Sequence, residues 1–226
     1  MAIGFRILQR TRQVDAGLVA RFRGLPVANI SDCMSRMAAG GARLRPMHAP
    51  GTQLAGPAVT VKSRPGDNLM IHKAIDLAQP GDVIVVDAGG DLTNALIGEI
   101  MLAAMAAKRL GGIVLNGAIR DSGAIRAQGF PVYAAGVTHR GPYKDGPGEI
   151  NVPIAIDGMV IEPGDLIVGD DDGVLCVPFA QAEALHAAAS AKHATEAKLI
   201  ESIANGTRSS AWVDEILKRQ GCEGLD

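Results

Sequence analysis

One stretch constrains the fold more than any other. Residues 83–87 read VIVVD, 98–110 read GEIMLAAMAAKRL and 113–117 read IVLNG. The first and last are short apolar runs rich in β-branched residues, as buried strands are. The middle segment is built of strong helix formers and is closed by Gly111–Gly112. Strand, helix and strand in this order imply a parallel pair joined by a right-handed crossover, hence an α/β fold. The flanks extend it. LAGPAVTVKSR (54–64) predicts a strand, RPGDN a turn, NLMIHKAIDLA a helix, 121–128 a short helix and PVYAAGV (131–137) another strand. Upstream, helices are expected over 14–24 and 31–38, the second capped by Ser31 or Asp32 and ended at Gly40–Gly41. From 151 onward, short strands alternate with DG and PGD turns, followed by an Ala-rich helix over about 179–204 and a last helix over about 210–220. QPGDVIVVD and EPGDLIVGD echo each other, and a shared Pro-Gly turn feeding a β-branched strand accounts for the echo.

No linker or low-complexity segment interrupts the chain, so one α/β domain over 1–226 is expected, with β-hairpins grafted onto a parallel core. With 22 Lys+Arg against 24 Asp+Glu and 3% aromatics, neither a basic face nor a stacking platform for nucleic acid is expected. Cys33, Cys176 and Cys222 are scattered, which argues against a disulfide framework or a zinc site. No apolar run reaches membrane-spanning length and no signal peptide is apparent, so a cytoplasmic location without membrane association is the expectation.

Ligands of α/β sheets collect beyond the carboxyl ends of the strands. The strand at 82–87 opens into GGDLTNALIGE and the strand at 113–116 into GAIRDSG, on one edge. A helix beginning at Gly98 leaves the N–H groups of Gly98, Glu99, Ile100 and Met101 to attract a carboxylate or phosphate. Arg120 adds a planar, permanently charged fork for the same anion. Asp121 is one hard oxygen ligand, suited to Mg²⁺ or Mn²⁺ completed by waters. The structural alternatives stay open at this level: Arg120–Asp121 as a salt-bridged turn with Asp121 capping a helix, and Glu99 as a first-turn acid favoured by the helix dipole. DDD at 170–172 reads as a solvated hairpin turn, and Lys62 is the only strand lysine that would suit a metal-free, Schiff-base aldolase. Neither G-x-G-x-x-G nor a P-loop is present.

The run GEIMLAAMAAKRLGGIVLNGAIRD resembles the signature of the RraA-like family: an acidic residue, Glu99, twenty residues, then Arg120–Asp121. FPVYA (130–134), the stretch from HRGPYKDGPGEINVPI to PGDLIVGDDDGVLCVP, and PGDN (65–68) fit the same family, and the resemblance spans roughly 20–205. It implies an α/β fold with a swivelling β/β/α core, assembled as a homotrimer or a hexamer. It further implies a divalent-metal-dependent aldolase that releases pyruvate from 4-hydroxy-2-oxo acids, with oxaloacetate decarboxylation as a side activity. In that picture the 2-oxo acid lies on the backbone of Gly98, Glu99, Ile100 and Met101 and on Arg120. Asp121 holds the Mg²⁺ or Mn²⁺, Glu99 and Arg120 act in catalysis, and Asp32 and Glu196 approach a neighbouring subunit's site. The family also includes non-catalytic regulators that bind a ribonuclease or helicase. Several of its aldolases have Asp where this chain has Glu99, whose carboxylate reaches one methylene further.

Overall fold

The computed structural model describes residues 3–37 and 40–224. In chain order its elements are β1 (Phe5–Ile7), α1 (Ala16–Phe22), α2 (Val27–Cys33), β2 (Arg45–Pro46), β3 (Leu54–Ser63), α3 (Leu69–Leu77) and β4 (Val83–Asp87). There follow β5 (Ala95–Ile97), α4 (Glu99–Ala107), β6 (Gly112–Ile119), α5 (Ser122–Ala127), β7 (Val132–Val137) and β8 (Gly148–Ile150). The last group is β9 (Ile154–Ile156), β10 (Met159–Ile161), β11 (Leu166–Asp170), β12 (Gly173–Val177), α6 (Ala182–Ala204) and α7 (Ala211–Arg219).

The expected crossover is the centre of the main sheet. β3, β4, β6 and β7 run parallel and adjacent, and the main sheet is completed by β1 and β8 on one side and β2 on the other. β11 pairs antiparallel with both β3 and β12, while β9 and β10 form a separate hairpin. One face of the parallel strands buries Val61, Val86 and Leu115 against Ile71 and Ala74 of α3 and Leu102 and Met105 of α4. The other face buries Val85, Val114 and Tyr133 against Ile154, Ile156 and Met159 of the hairpin. A third cluster joins α1, α2 and the first half of α6 to β11 and β12. Burial on both faces explains why the parallel strands read as continuous apolar runs instead of alternating ones.

Two expectations need correction. The second helix is Val27–Cys33, not 31–38, so Ser31 and Asp32 lie inside it and do not cap it. Pro26, with φ −60° and no N–H to satisfy, opens the helix a turn earlier. Ser35 and Arg36 then adopt positive φ, which ends it well before Gly40. Residue 38, its expected end, lies outside the described residues. Second, the loop after β4 contains β5, three residues long and parallel to β6. So short a strand carries no periodic signal of its own.

The chain divides into two compact units, Met1–Ala189 and Ser190–Asp226. The first holds every strand and α1 to α5; the second holds the later part of α6 and all of α7. No helix among the described residues is long and apolar enough to cross a membrane.

Candidate functional site

β5 ends beside the end of β6, and the Arg120 N–H donates to the Ile97 carbonyl at 3.0 Å. That bond brings the start of α4 against the Arg-Asp pair. Gly98 is the N-cap of α4, in extended conformation. A Cβ there would fall on Asp121 Oδ2 and lie 3.0 Å from Arg120 Cγ, so glycine lets both side chains lie against the start of α4 and any larger residue would push them aside. Asp121 Oδ2 accepts the Glu99 N–H at 2.9 Å. Asp121 itself has φ 57°, in the left-handed region that aspartate tolerates better than most residues. Arg120 Nε stands 3.8 Å from the same Asp121 oxygen, with both side chains 43% exposed.

This refines the expected anion site. Of the four N–H groups at the start of α4, that of Glu99 is already engaged by Asp121. Those of Ile100 and Met101 have no protein acceptor among the described residues and remain open to an anion. The structural alternative for Asp121 is half realised. It is the N-cap residue of α5, but its side chain makes no cap bond there and reaches back to α4.

Gly98, Ile100, Met101 and Arg120 line a cavity of about 310 Å³. Its other walls were not marked as functional by the sequence. Asn68 and His72 come from the start of α3, and Gly141, Pro142 and Lys144 from the loop between β7 and β8. Burial, and then the charge of Lys144, hold the His72 pKa below its ordinary value, with Asp76 acting in the opposite sense. Glu99 and Asp121 are exposed and stand beside this wall, in contact with it through Gly98. No local pattern announces Lys144 or His72, because their meeting is made by tertiary structure. Asn68 closes the PGDN stretch, which the sequence marks only by its likeness to the family.

Other candidates go elsewhere. Lys62 lies on β3 in register with Asp87 and Glu149 and does not line the cavity. Asp32 pairs with Arg36 at 2.8 Å within its own segment and is likewise absent from the cavity wall. Glu196 belongs to the second unit, where it pairs with Lys192 at 3.0 Å. Asp170, Asp171 and Asp172 form the β11–β12 turn: Asp170 accepts the Val27 and Asp172 N–H groups, and Asp171 accepts that of Gly51.

Among the described residues, no group of three or more His, Cys, Asp or Glu side chains gathers where a metal could sit. The donor set is therefore not that of a protein-caged ion such as structural zinc. A hard divalent cation that keeps most of its waters needs only one or two carboxylates. Asp121 fits that demand, because the Glu99 N–H fixes Oδ2 while Oδ1 takes no hydrogen bond among the described residues.

The family model for RraA-like proteins, described as Aldolase/RraA, matches residues 27–176. A Halalkalibacterium halodurans protein named "Putative 4-hydroxy-4-methyl-2-oxoglutarate aldolase" is 42% identical over 171 residues, which cover 76% of this chain and 81% of that protein. Among solved structures, an uncharacterized protein from Pseudomonas syringae pv. tomato superimposes with a TM-score of 0.78 at 28% identity, covering 87% of this chain and 96% of its own. The RNA-processing inhibitor RraA from Thermus thermophilus superimposes with a TM-score of 0.62 at 28% identity, covering 68% of this chain and 92% of its own. The matched span contains Gly98, Glu99, Arg120 and Asp121 together with the second wall of the cavity, and the chain belongs to the RraA-like family.

Proposed function

We propose that the cavity is the active site of a divalent-metal-dependent aldolase, cleaving 4-hydroxy-2-oxo di- or tricarboxylic acids to pyruvate and a second 2-oxo acid. The observation that carries this reading is the corner at Gly98, where a carboxylate, a guanidinium and open helix amides meet beside a cavity of about 310 Å³. The description of the 42% identical relative as an aldolase supports it.

In this reading the substrate's 1-carboxylate rests on the N–H groups of Ile100 and Met101, where the helix dipole favours negative charge. Arg120 directs paired N–H donors at that carboxylate and at the 2-oxo oxygen, and so stabilises the charge that grows there as the C3–C4 bond breaks. Glu99 removes the C4 hydroxyl proton through a water, so that the departing fragment leaves as a carbonyl compound, and the water then returns a proton to C3 of the enolate to give pyruvate. Asp121 would hold Mg²⁺ or Mn²⁺, while its Oδ2 keeps α4 in place. When bound, such an ion supplies Lewis-acid polarisation of the 2-oxo group. Loss of CO₂ from oxaloacetate leaves the same pyruvate fragment, so decarboxylation is the expected side reaction. Assembly as a homotrimer or hexamer is part of the same proposal, with Asp32 and Glu196 serving a neighbouring copy.

A second reading, a regulator of RNA processing, is favoured by the likeness to the Thermus inhibitor. Pyruvate release from a panel of 4-hydroxy-2-oxo acids and oxaloacetate, before and after EDTA, separates the two. The aldolase reading expects turnover that EDTA abolishes and Mg²⁺ or Mn²⁺ restores. No release from any member with either metal present would leave the regulator reading.

A further inference from the structure

Pro-Gly-Asp occurs at 65–67, 80–82 and 163–165. In all three the glycine has positive φ, at 73°, 87° and 86°. In all three the aspartate is buried, at 0%, 2% and 3% exposure. Asp82 and Asp165 share one turn bond, although Asp82 is bidentate to Arg10 and Asp165 Oδ1 also accepts the Phe179 N–H at 2.9 Å, beyond the end of β12. Each carboxylate accepts the N–H three residues earlier, from Gln79 at 2.8 Å and Glu162 at 2.9 Å. Each also has an arginine beside it, Arg10 at 2.9 Å and Arg12 at 3.7 Å. These two carboxylates close turns that lead into β4 and β11.

Asp67 uses the same three residues differently. Its Oδ1 accepts the Leu69 N–H at the start of α3, at 2.9 Å. Its Oδ2 accepts the N–H groups of both Asp145 and Gly146, each at 2.8 Å. Among the described residues no arginine, lysine or histidine forms an ion pair with it, so backbone donors alone satisfy a fully buried carboxylate. The surrounding backbone joins the same two segments: the Asn68 N–H donates to the Tyr143 carbonyl, and the Tyr143 N–H to the Gly66 carbonyl. The next residue, Asn68, donates its side-chain amide to the Leu96 carbonyl of β5, two residues before Gly98. These segments are the walls of the cavity, with Asn68 and His72 on one and Gly141, Pro142 and Lys144 on the other.

We infer that Asp67 is a positioning residue: its buried carboxylate fixes where Lys144 stands relative to Arg120 across the cavity, and thereby the affinity for the substrate carboxylate at the end opposite the 1-carboxylate. The inference rests on the aldolase reading above. It concerns holding the substrate, not the bond-breaking step, so its signature is in KM.

Asp67→Ala removes the acceptor for both loop N–H groups. Asp67→Asn can keep its amide oxygen on Asp145 and Gly146, losing only the Leu69 N–H bond at the start of α3, where its NH₂ is a donor facing a donor. With a 4-hydroxy-2-oxo dicarboxylic acid, Asp67→Ala is expected to raise KM about tenfold while kcat stays within about threefold, the pattern of lost uniform binding. Asp67→Asn should remain within about threefold of the wild type in both constants. Asp67→Ala combined with Lys144→Ala should have no higher KM than Lys144→Ala alone, because the two act through one contact. A fall in kcat at constant KM, or additive effects in the double variant, would overturn the inference. Amide exchange of the wild-type protein needs neither a variant nor turnover. The Asp145 and Gly146 N–H groups, on a surface loop, should exchange far more slowly than the Lys144 N–H, and rapid exchange of both would overturn the inference even if Asp67→Ala fails to fold. A wild type that releases no pyruvate would sink the aldolase reading, and amide exchange would then separately decide whether Asp67 fixes this loop.

Discussion

Asp82 and Asp165 on one side, and Asp67 on the other, occupy the same Pro-Gly-Asp context with the same left-handed glycine, yet they spend their oxygens differently. The first two satisfy their own turns and a nearby arginine, and Asp165 also accepts the Phe179 N–H just beyond β12, the strand paired with β11, so their bonds stay at the ends of sheet strands. Asp67 commits one oxygen to a loop 78 and 79 positions away. A local motif fixes a turn; what the buried carboxylate then holds depends on which N–H groups the fold brings to it. The comparison separates residues that hold the sheet from one that shapes the cavity.

The largest expected effect lies on the sheet side. Asp82→Ala would leave the Arg10 guanidinium, whose side chain is 12% exposed, without its bidentate partner and the Gln79 N–H without an acceptor. Removing one member of a buried ion pair typically costs about 3–5 kcal/mol. Urea unfolding should show that loss, while pyruvate release per folded molecule stays at the wild-type level. A loss below about 1 kcal/mol, or a matching fall in turnover, would erase the distinction drawn between the turns.

A smaller effect sharpens the cavity side. The His72 pKa is depressed by burial and by Lys144, so Lys144→Ala should raise it while leaving it below the ordinary histidine value of about 6.5. Asp67→Ala should move it the same way by releasing the loop, and Asp82→Ala should not move it. The sign for stability follows from linkage. A histidine whose folded pKa is lowered contributes stability that is fully present above its unfolded pKa and is lost as pH falls through the folded value. Lys144→Ala should therefore weaken this acid-side loss. NMR titration of the His72 ring reads the shift directly, and an unchanged pKa in Lys144→Ala would mean that the two side chains do not sense each other.

Much of this architecture was legible in the residues themselves. VIVVD, the helix formers after Gly98 and IVLNG gave the parallel crossover, because burial on both faces leaves an uninterrupted apolar run. The meeting of Gly98 with Arg120–Asp121 was also legible, since both follow adjacent strands at one sheet edge. The start of α2 at Pro26 was not, because Ser31 and Asp32 offered a stronger local cap signal than a proline does. Nor was the use of Asp121 on the Glu99 N–H, which needs the left-handed turn at 121 to aim the carboxylate backward. Lys144 and His72 escaped for a similar reason: residues 72 positions apart line one cavity only because Asp67 and its neighbours bind the two segments together.

The central claim is that chemistry occurs at the corner where Gly98 packs on Asp121 and Arg120, and Gly98→Ala tests it most directly. Gly98 has an extended backbone that alanine adopts freely, so the substitution acts through its added methyl group, which displaces Asp121 and Arg120. Pyruvate release should fall by at least about a hundredfold in kcat/KM, the scale expected when catalytic groups shift by about an ångström. Thermal unfolding should change little, since an N-cap Gly→Ala exchange costs on the order of 1 kcal/mol. Wild-type turnover in a folded Gly98→Ala protein would contradict the account and place the chemistry elsewhere on the molecule.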